Sequence, residues 1–216
     1  MLVGDYLLAR ALTIGASTGK LRAISVLSEV TEYMAQGEIR QMLNQGRLEL
    51  DEEEYLEVIR CKTALLIQGS CRVGAIIADA DPQKEDALSE FGLCMGMAFQ
   101  MADDLLDYTA DTSSLGKAVG ADLREGKMTL PVIHALSRAE KSDRARMEAI
   151  IVNPEFNEAD FDTLKKLMEQ YGGIAYTRQK ALEYIEKAKS ALDIFPDSET
   201  KDTLLEVADY SLGRSA

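Results

Sequence analysis

The stretch Phe99-Gln100-Met101-Ala102-Asp103-Asp104-Leu105-Leu106-Asp107-Tyr108 sets three aspartates into an otherwise largely apolar run. Four-residue spacing puts Asp103 and Asp107 one turn apart on one helix face, with Asp104 beside them. Like charges so placed repel by about 0.2–0.5 kcal/mol even when solvated. Apolar neighbours lower the local dielectric and strengthen the repulsion. Such a cluster calls for a cation. With no His or Cys close by, the hard oxygen donors point to Mg²⁺, which a protein commonly holds with a carboxylate or two plus substrate phosphates. The alternative is a solvated acidic helix end, because a chain with 37 Asp and Glu produces DDxxD strings by chance.

Directly downstream, Gly116-Lys117-Ala118-Val119-Gly120-Ala121-Asp122-Leu123-Arg124-Glu125-Gly126-Lys127-Met128-Thr129-Leu130-Pro131 reads as a glycine-punctuated loop. It brings Lys117, Arg124 and Lys127 near the acidic cluster. These cations could simply neutralise the aspartates, or they could join a metal ion in clamping a diphosphate leaving group. Lys62-Thr63, on an earlier helix, adds a point charge and a hydroxyl donor, both suited to phosphate oxygens.

The elements that must carry these side chains all read as helices. Apolar periodicity predicts helices over 2–17, 21–44, 51–79, 83–110, 127–139, 142–152, 158–171, 173–194 and 198–213. Asp51-Glu52-Glu53-Glu54 places acids in a first turn, where the helix dipole favours them. Asp81-Pro82, Gly172-Gly173 and Phe195-Pro196-Asp197-Ser198 are breaks between helices. No β-branched alternation lasts long enough to build a sheet. The expected architecture is a single all-α domain over 1–216, with 51–79 and 83–110 as its buried central helices.

Composition agrees: 216 residues, 46% hydrophobic and 28% charged, with 4 prolines and no tryptophan, suit a compact helical chain. A net charge of −13 argues against nucleic acid, which needs a basic footprint, and against anionic membrane surfaces. No apolar run reaches membrane-spanning length. Cys61, Cys71 and Cys94 form no CxxC pair and read as buried free thiols, which fits the cytoplasm. The first residues enter an amphipathic pattern with no preceding cap, an expectation of further sequence upstream. His134 is expected to be structural or at the surface, and Asp5 and Arg10 to form an ion pair. The Glu29, Glu32 and Glu38 face is expected to be solvated, and Arg214, close to the C-terminus, could approach the acidic cluster but is not assigned to the site.

Taken in order, GDYLLARA (4–11), QGEIRQ (36–41), YLEVIRCKTA (55–64), FQMADDLLDY (99–108), GKAVGADLREGKMTLP (116–131) and YGGIAYT (171–177) resemble the trans-prenyltransferases. The similarity is to geranylgeranyl, farnesyl and especially bacterial octaprenyl- and heptaprenyl-type diphosphate synthases. The resemblance implies an isoprenoid synthase helical bundle and a homodimer. It also implies condensation of an allylic diphosphate with isopentenyl diphosphate into a longer polyprenyl diphosphate. Asp103, Asp104 and Asp107 match the second aspartate-rich motif, implied to bind Mg²⁺. Lys62, Thr63, Gln100, Lys117 and Lys127 match residues that contact the diphosphate or help expel it, and Phe99 matches an aromatic near the carbocation.

The pattern departs from the family at one end. Members carry a first DDxx(xx)D motif and paired arginines upstream of GDYLLARA, and neither is among these residues. The resemblance therefore implies a bundle without its N-terminal helices, expected to be inactive in this form. It also predicts an exposed apolar patch on the face that bears Lys62. A non-catalytic subunit that keeps the fold and one metal motif is the alternative. A class I terpene cyclase is disfavoured by the Lys62-Thr63 and glycine-loop elements, and a di-iron bundle by the lack of ExxH pairs.

Overall fold

A computed structural model describes residues 2–109, 120–153, 155 and 157–213. It consists of helices α1 (Leu2–Ser17), α2 (Leu21–Leu43), α3 (Glu52–Ile59), α4 (Leu65–Ile77), α5 (Pro82–Thr109), α6 (Ala121–Arg124), α7 (Leu130–Arg138), α8 (Lys141–Ile151), α9 (Glu158–Gln170), α10 (Gly173–Ala191) and α11 (Glu199–Gly213). A π-helical turn, Arg60–Ala64, joins α3 to α4, and a 3₁₀ turn, Leu192–Ile194, follows α10. No strand occurs among the described residues.

Helix α5 is the axis of the bundle. It is flanked by α4 and α10 and buries Met101, Leu105 and Tyr108 completely. The main core continues through Leu130 and Val132 of α7, Met147 of α8, and Leu164 and Met168 of α9. A second cluster joins Phe91, Cys94 and Ala98 of α5 to Ile185 and Ala188 of α10 and Ala208 of α11. Cys61, Cys71 and Cys94 are all free thiols, two of them buried and Cys71 partly so.

Local chemistry sets the ends of these helices. Asp51 caps α3 by accepting from Glu54 N at 2.8 Å, and the Glu54 side chain returns to the Asp51 amide, forming a capping box. Asn157 and Asp160 do the same for α9. Sequence spacing predicted one helix over 51–79, but the structure inserts the π turn at the Lys62-Thr63 segment. Such turns widen the helix by one residue and re-aim its side chains. The helix expected from 127 begins at Leu130 instead. The Thr129 hydroxyl shares a 2.7 Å hydrogen bond with Tyr108 rather than capping the helix, and Lys127–Thr129 lie outside it.

Two glycines decide how closely the central helices approach. A Cβ on Gly96 of α5 would lie 2.5 Å from Ala64 Cα, and one on Gly37 of α2 would lie 2.7 Å from the Lys62 amide nitrogen. The π turn is thus gripped by backbone from both sides. The apolar patch expected on the Lys62 face is largely elsewhere. Gly37 covers the backbone there and Lys62 is half-buried, although Leu66 one turn on is exposed. The extended apolar surface is on α1, where Leu2, Val3, Tyr6, Leu7, Leu8, Leu12 and Ile14 are exposed and only Gly15 is buried.

Candidate functional site

A cleft of about 190 Å³ opens where the end of α2, the π turn and α5 meet. Its polar wall carries Gln41, Asn44, Lys62, Thr63, Gln100, Asp103 and Lys127. Leu50, Val58, Ile59 and Met128 supply its apolar lining, and Tyr55 lines it as well.

Thr63, Gln100, Asp104, Lys127, Asp122 and Tyr55 form one continuous hydrogen-bonded path. Thr63 Oγ1 donates to Gln100 Oε1 at 2.7 Å, and Gln100 Nε2 donates to Asp104 Oδ1 at 2.9 Å. Lys127 Nζ reaches the same Oδ1 at 2.8 Å and Asp122 Oδ2 at 2.9 Å. The Tyr55 hydroxyl donates to Asp104 Oδ2 at 2.6 Å. Lys62 Nζ lies 3.2 Å from both Gln41 Oε1 and Glu38 Oε1, so Glu38 is paired rather than merely solvated.

The loop that carries Lys127 is fastened at both ends. Gly46 N donates to Gly126 O at 2.8 Å, the Gln45 amide donates to Glu125 O, and Tyr108 holds Thr129. Lys127 therefore reaches the site from a stretch of backbone tied down on both sides.

The three aspartates diverge. Successive residues on a helix are rotated by about 100°, so adjacent Asp103 and Asp104 cannot face the same way. Asp103 is exposed at the cleft and receives no hydrogen bond or ion pair among the described residues. Asp104 is 0% exposed and turned inward onto three donors. Asp107 accepts the amides of Ala121 and Asp122, both at 3.1 Å, and so is engaged with the first turn of α6. Among the described residues no group of three His, Cys, Asp or Glu converges in a way that could hold a metal. Of the three aspartates, Asp103 is thus the carboxylate open to the cleft, while Asp104 and Asp107 meet protein donors.

Burial pushes the Asp104 carboxyl above its usual range, opposed by the Lys127 ammonium and by hydrogen bonds from Lys127 and Tyr55. Burial and the nearby Asp122 charge raise Asp107 as well. For Lys127, burial pulls downward, but the carboxylates of Asp104 and Asp122 outweigh it and the net shift is upward. The ammonium is therefore held charged at the cleft.

Of the other expected residues, Phe99 is half-buried and does not line the cleft, and Arg124 is exposed on α6. Lys117 and Arg214 lie outside the described residues. His134 stacks on Tyr176 with ring centroids 3.9 Å apart, which suits the structural role expected of it. Sequence reading missed Tyr55, Gln41, Asn44 and Asp122 as members of the site. Tyr55 had a usable signal, since it precedes Lys62 by seven residues, two turns along one face.

A search of known proteins returns the family model described as Polyprenyl synthetase, matched by residues 1–169. The octaprenyl diphosphate synthase of Escherichia coli K12 is 36% identical over 214 residues, covering 99% of this chain and 66% of that protein. A short chain isoprenyl diphosphate synthase of Methanothermobacter thermautotrophicus is 37% identical over 218 residues, with 99% and 66% covered. Among solved structures, the polyprenyl synthase of Caulobacter crescentus CB15, complexed with calcium and isoprenyl diphosphate, superimposes with a TM-score of 0.93. It is 39% identical, with 100% of this chain and 66% of that one covered. The chain thus spans just under two thirds of the length of these relatives.

Proposed function

Because this chain belongs to the polyprenyl synthetase family, we propose that it serves in trans-polyprenyl diphosphate synthesis, condensing an allylic diphosphate with isopentenyl diphosphate. The observation that carries the reading is that Lys62, Thr63, Gln100, Asp103 and Lys127 line one cleft. Two ammonium groups and two neutral hydrogen-bonding side chains are the donor set a diphosphate requires. Asp103 fits a divalent cation, Mg²⁺ in this proposal, because it is an exposed hard-oxygen donor beside those groups. Asp104 and Asp107 are engaged with protein donors beside it. When bound, Mg²⁺ would neutralise charge on the diphosphate.

The chain's own residues have distinct tasks in the reaction. The allylic C–O bond breaks with its electrons passing to the diphosphate. Lys62 and Lys127 stabilise that growing negative charge from fixed positions, where removing one such contact commonly costs about 10²–10³ in rate. Thr63 and Gln100 orient the phosphate oxygens. Val58, Ile59 and Met128 offer the carbocation a wall without nucleophiles until the isopentenyl double bond attacks and a proton is lost. Lys117 and Phe99 keep the roles the resemblance implied for them as part of the proposal.

A homodimer and a cytoplasmic location belong to the same proposal. The exposed apolar side chains of α1 support the first and three free thiols the second. These 216 residues hold one aspartate-rich motif, so by themselves they would bind a diphosphate without turning it over.

Calorimetry with inorganic pyrophosphate and MgCl₂ tests the reading on the chain as it stands. Asp103→Asn should weaken Mg²⁺-dependent binding at least tenfold while moving the unfolding free energy by less than about 0.5 kcal/mol, as expected for an exposed side chain with no partner among the described residues. Unchanged binding would remove Asp103 from the proposal, and no binding by the parent would remove the diphosphate site. Elongation assays on a form carrying both aspartate motifs separate an enzyme from a non-catalytic subunit.

A further inference from the structure

Tyr55 takes no part in the chemistry above, yet it is 2% exposed and its hydroxyl meets Asp104 Oδ2 at 2.6 Å. The other carboxylate oxygen, Oδ1, holds both Gln100 Nε2 and Lys127 Nζ. The terminal torsion of an aspartate is broad, so two donors on one oxygen do not by themselves fix the plane of the group. A third donor on the second oxygen does. Tyr55 supplies it from α3, where its ring is locked in the main core, and so ties the π-turn side of the cleft to α5.

We propose that Tyr55 is a positioning residue of the diphosphate site: by pinning Asp104 Oδ2 it sets the direction in which Oδ1 presents the Gln100 amide and the Lys127 ammonium to the cleft. This rests on reading the cleft as a diphosphate site. Thr63 completes the arrangement, because its hydroxyl holds the opposite end of the Gln100 side chain at 2.7 Å. Burial, with the Asp104 charge behind it, keeps the phenol well above its usual range, so the hydroxyl remains a donor. A structural role alone would spend this hydroxyl on stability. A positioning role predicts that its loss is felt at Lys127.

Tyr55→Phe keeps the ring and removes only the donor. In the parent chain it should weaken pyrophosphate binding in MgCl₂ about tenfold, the scale of one hydrogen bond to a charged group. In a Lys127→Met background the same change should matter less than about twofold, because the group being positioned is gone. Equal weakening in both backgrounds overturns the proposal. A second readout needs no ligand: the Lys127 ammonium resonance, assigned by its loss in Lys127→Met, should shift or broaden in Tyr55→Phe. An unmoved resonance also overturns the proposal. If the parent binds no pyrophosphate, the diphosphate reading fails, and the resonance alone decides whether Tyr55 orients Lys127. Should Tyr55→Phe not fold, Lys127→Met must still move the Tyr55 ring resonances through their shared carboxylate, and unmoved ring resonances count against the proposal.

Discussion

Replacing Lys127 with methionine keeps most of the side-chain volume and removes the charge that faces Asp104. The Lys127 side chain is 17% exposed and the Asp104 side chain 0%, so the pair is buried rather than screened by solvent. Breaking a buried pair from one side costs about 3–5 kcal/mol, because the remaining charge has neither water nor partner. Asp104 keeps the Tyr55 and Gln100 hydrogen bonds, and Asp122, 23% exposed, rehydrates easily. The low end of the range therefore applies, about 3 kcal/mol at pH 7.5.

The pH dependence identifies the cause. In the variant, Asp104 loses the ammonium that opposed its upward shift, so its folded pKa rises further above the unfolded value of about 3.9. The native state then binds more protons than the unfolded chain. The cost should be complete above that raised pKa and should shrink as pH falls toward about 4. Urea unfolding followed by circular dichroism, parent and variant side by side from pH 4.5 to 8, measures the difference directly. Adding Asp104→Asn to Lys127→Met should recover most of the loss. A cost below about 1 kcal/mol at pH 7.5, or one that does not shrink on acidification, refutes the view that Asp104 depends on Lys127.

Glu85 pairs with the guanidinium groups of Arg22 and Arg72, at 2.8 and 2.9 Å, whose side chains are themselves 67% and 38% exposed. Although burial raises its pKa, the hydrogen bonds from Arg72 and Arg22 outweigh it and hold the carboxyl below its usual range. Its stabilisation is therefore complete above an unfolded value of about 4.3 and is lost as pH falls through the folded one. Glu85→Gln should cost about 1 kcal/mol at pH 7 and nothing near pH 2, read from urea midpoints. An undiminished cost in acid would contradict this. Gly96→Ala should destabilise by about 1–3 kcal/mol, since the new methyl meets Ala64 backbone at 2.5 Å. Helix propensity alone would make the same change stabilising by about 1 kcal/mol, so the sign of the measured shift decides which effect governs.

The all-helical architecture was legible from the chain because helix formation depends on local periodicity and on breaks such as Asp81-Pro82 and Gly172-Gly173. The segments that meet at the cleft were legible as well: Lys62-Thr63, Gln100, Asp103 and the Lys127 loop stand out by residue type and spacing. Residue types and spacing state which groups could serve a diphosphate. They do not state which way each side chain turns.

That was decided by tertiary packing. The π turn at 60–64 packs closely against Gly37 and Gly96, which lie far from it in sequence. The start of α7 is tied to α5 by the hydroxyl pair of Tyr108 and Thr129, 21 residues apart in the chain. The division among the three aspartates follows from the partners that long-range folding brings. Asp104 meets a buried phenol and ammonium, Asp107 meets the first amides of α6, and Asp103 meets open space at the cleft. A hydrogen bond acts over about 3 Å, so its partners are fixed only once distant segments are folded against one another, and a motif of three identical residues comes to hold three different environments.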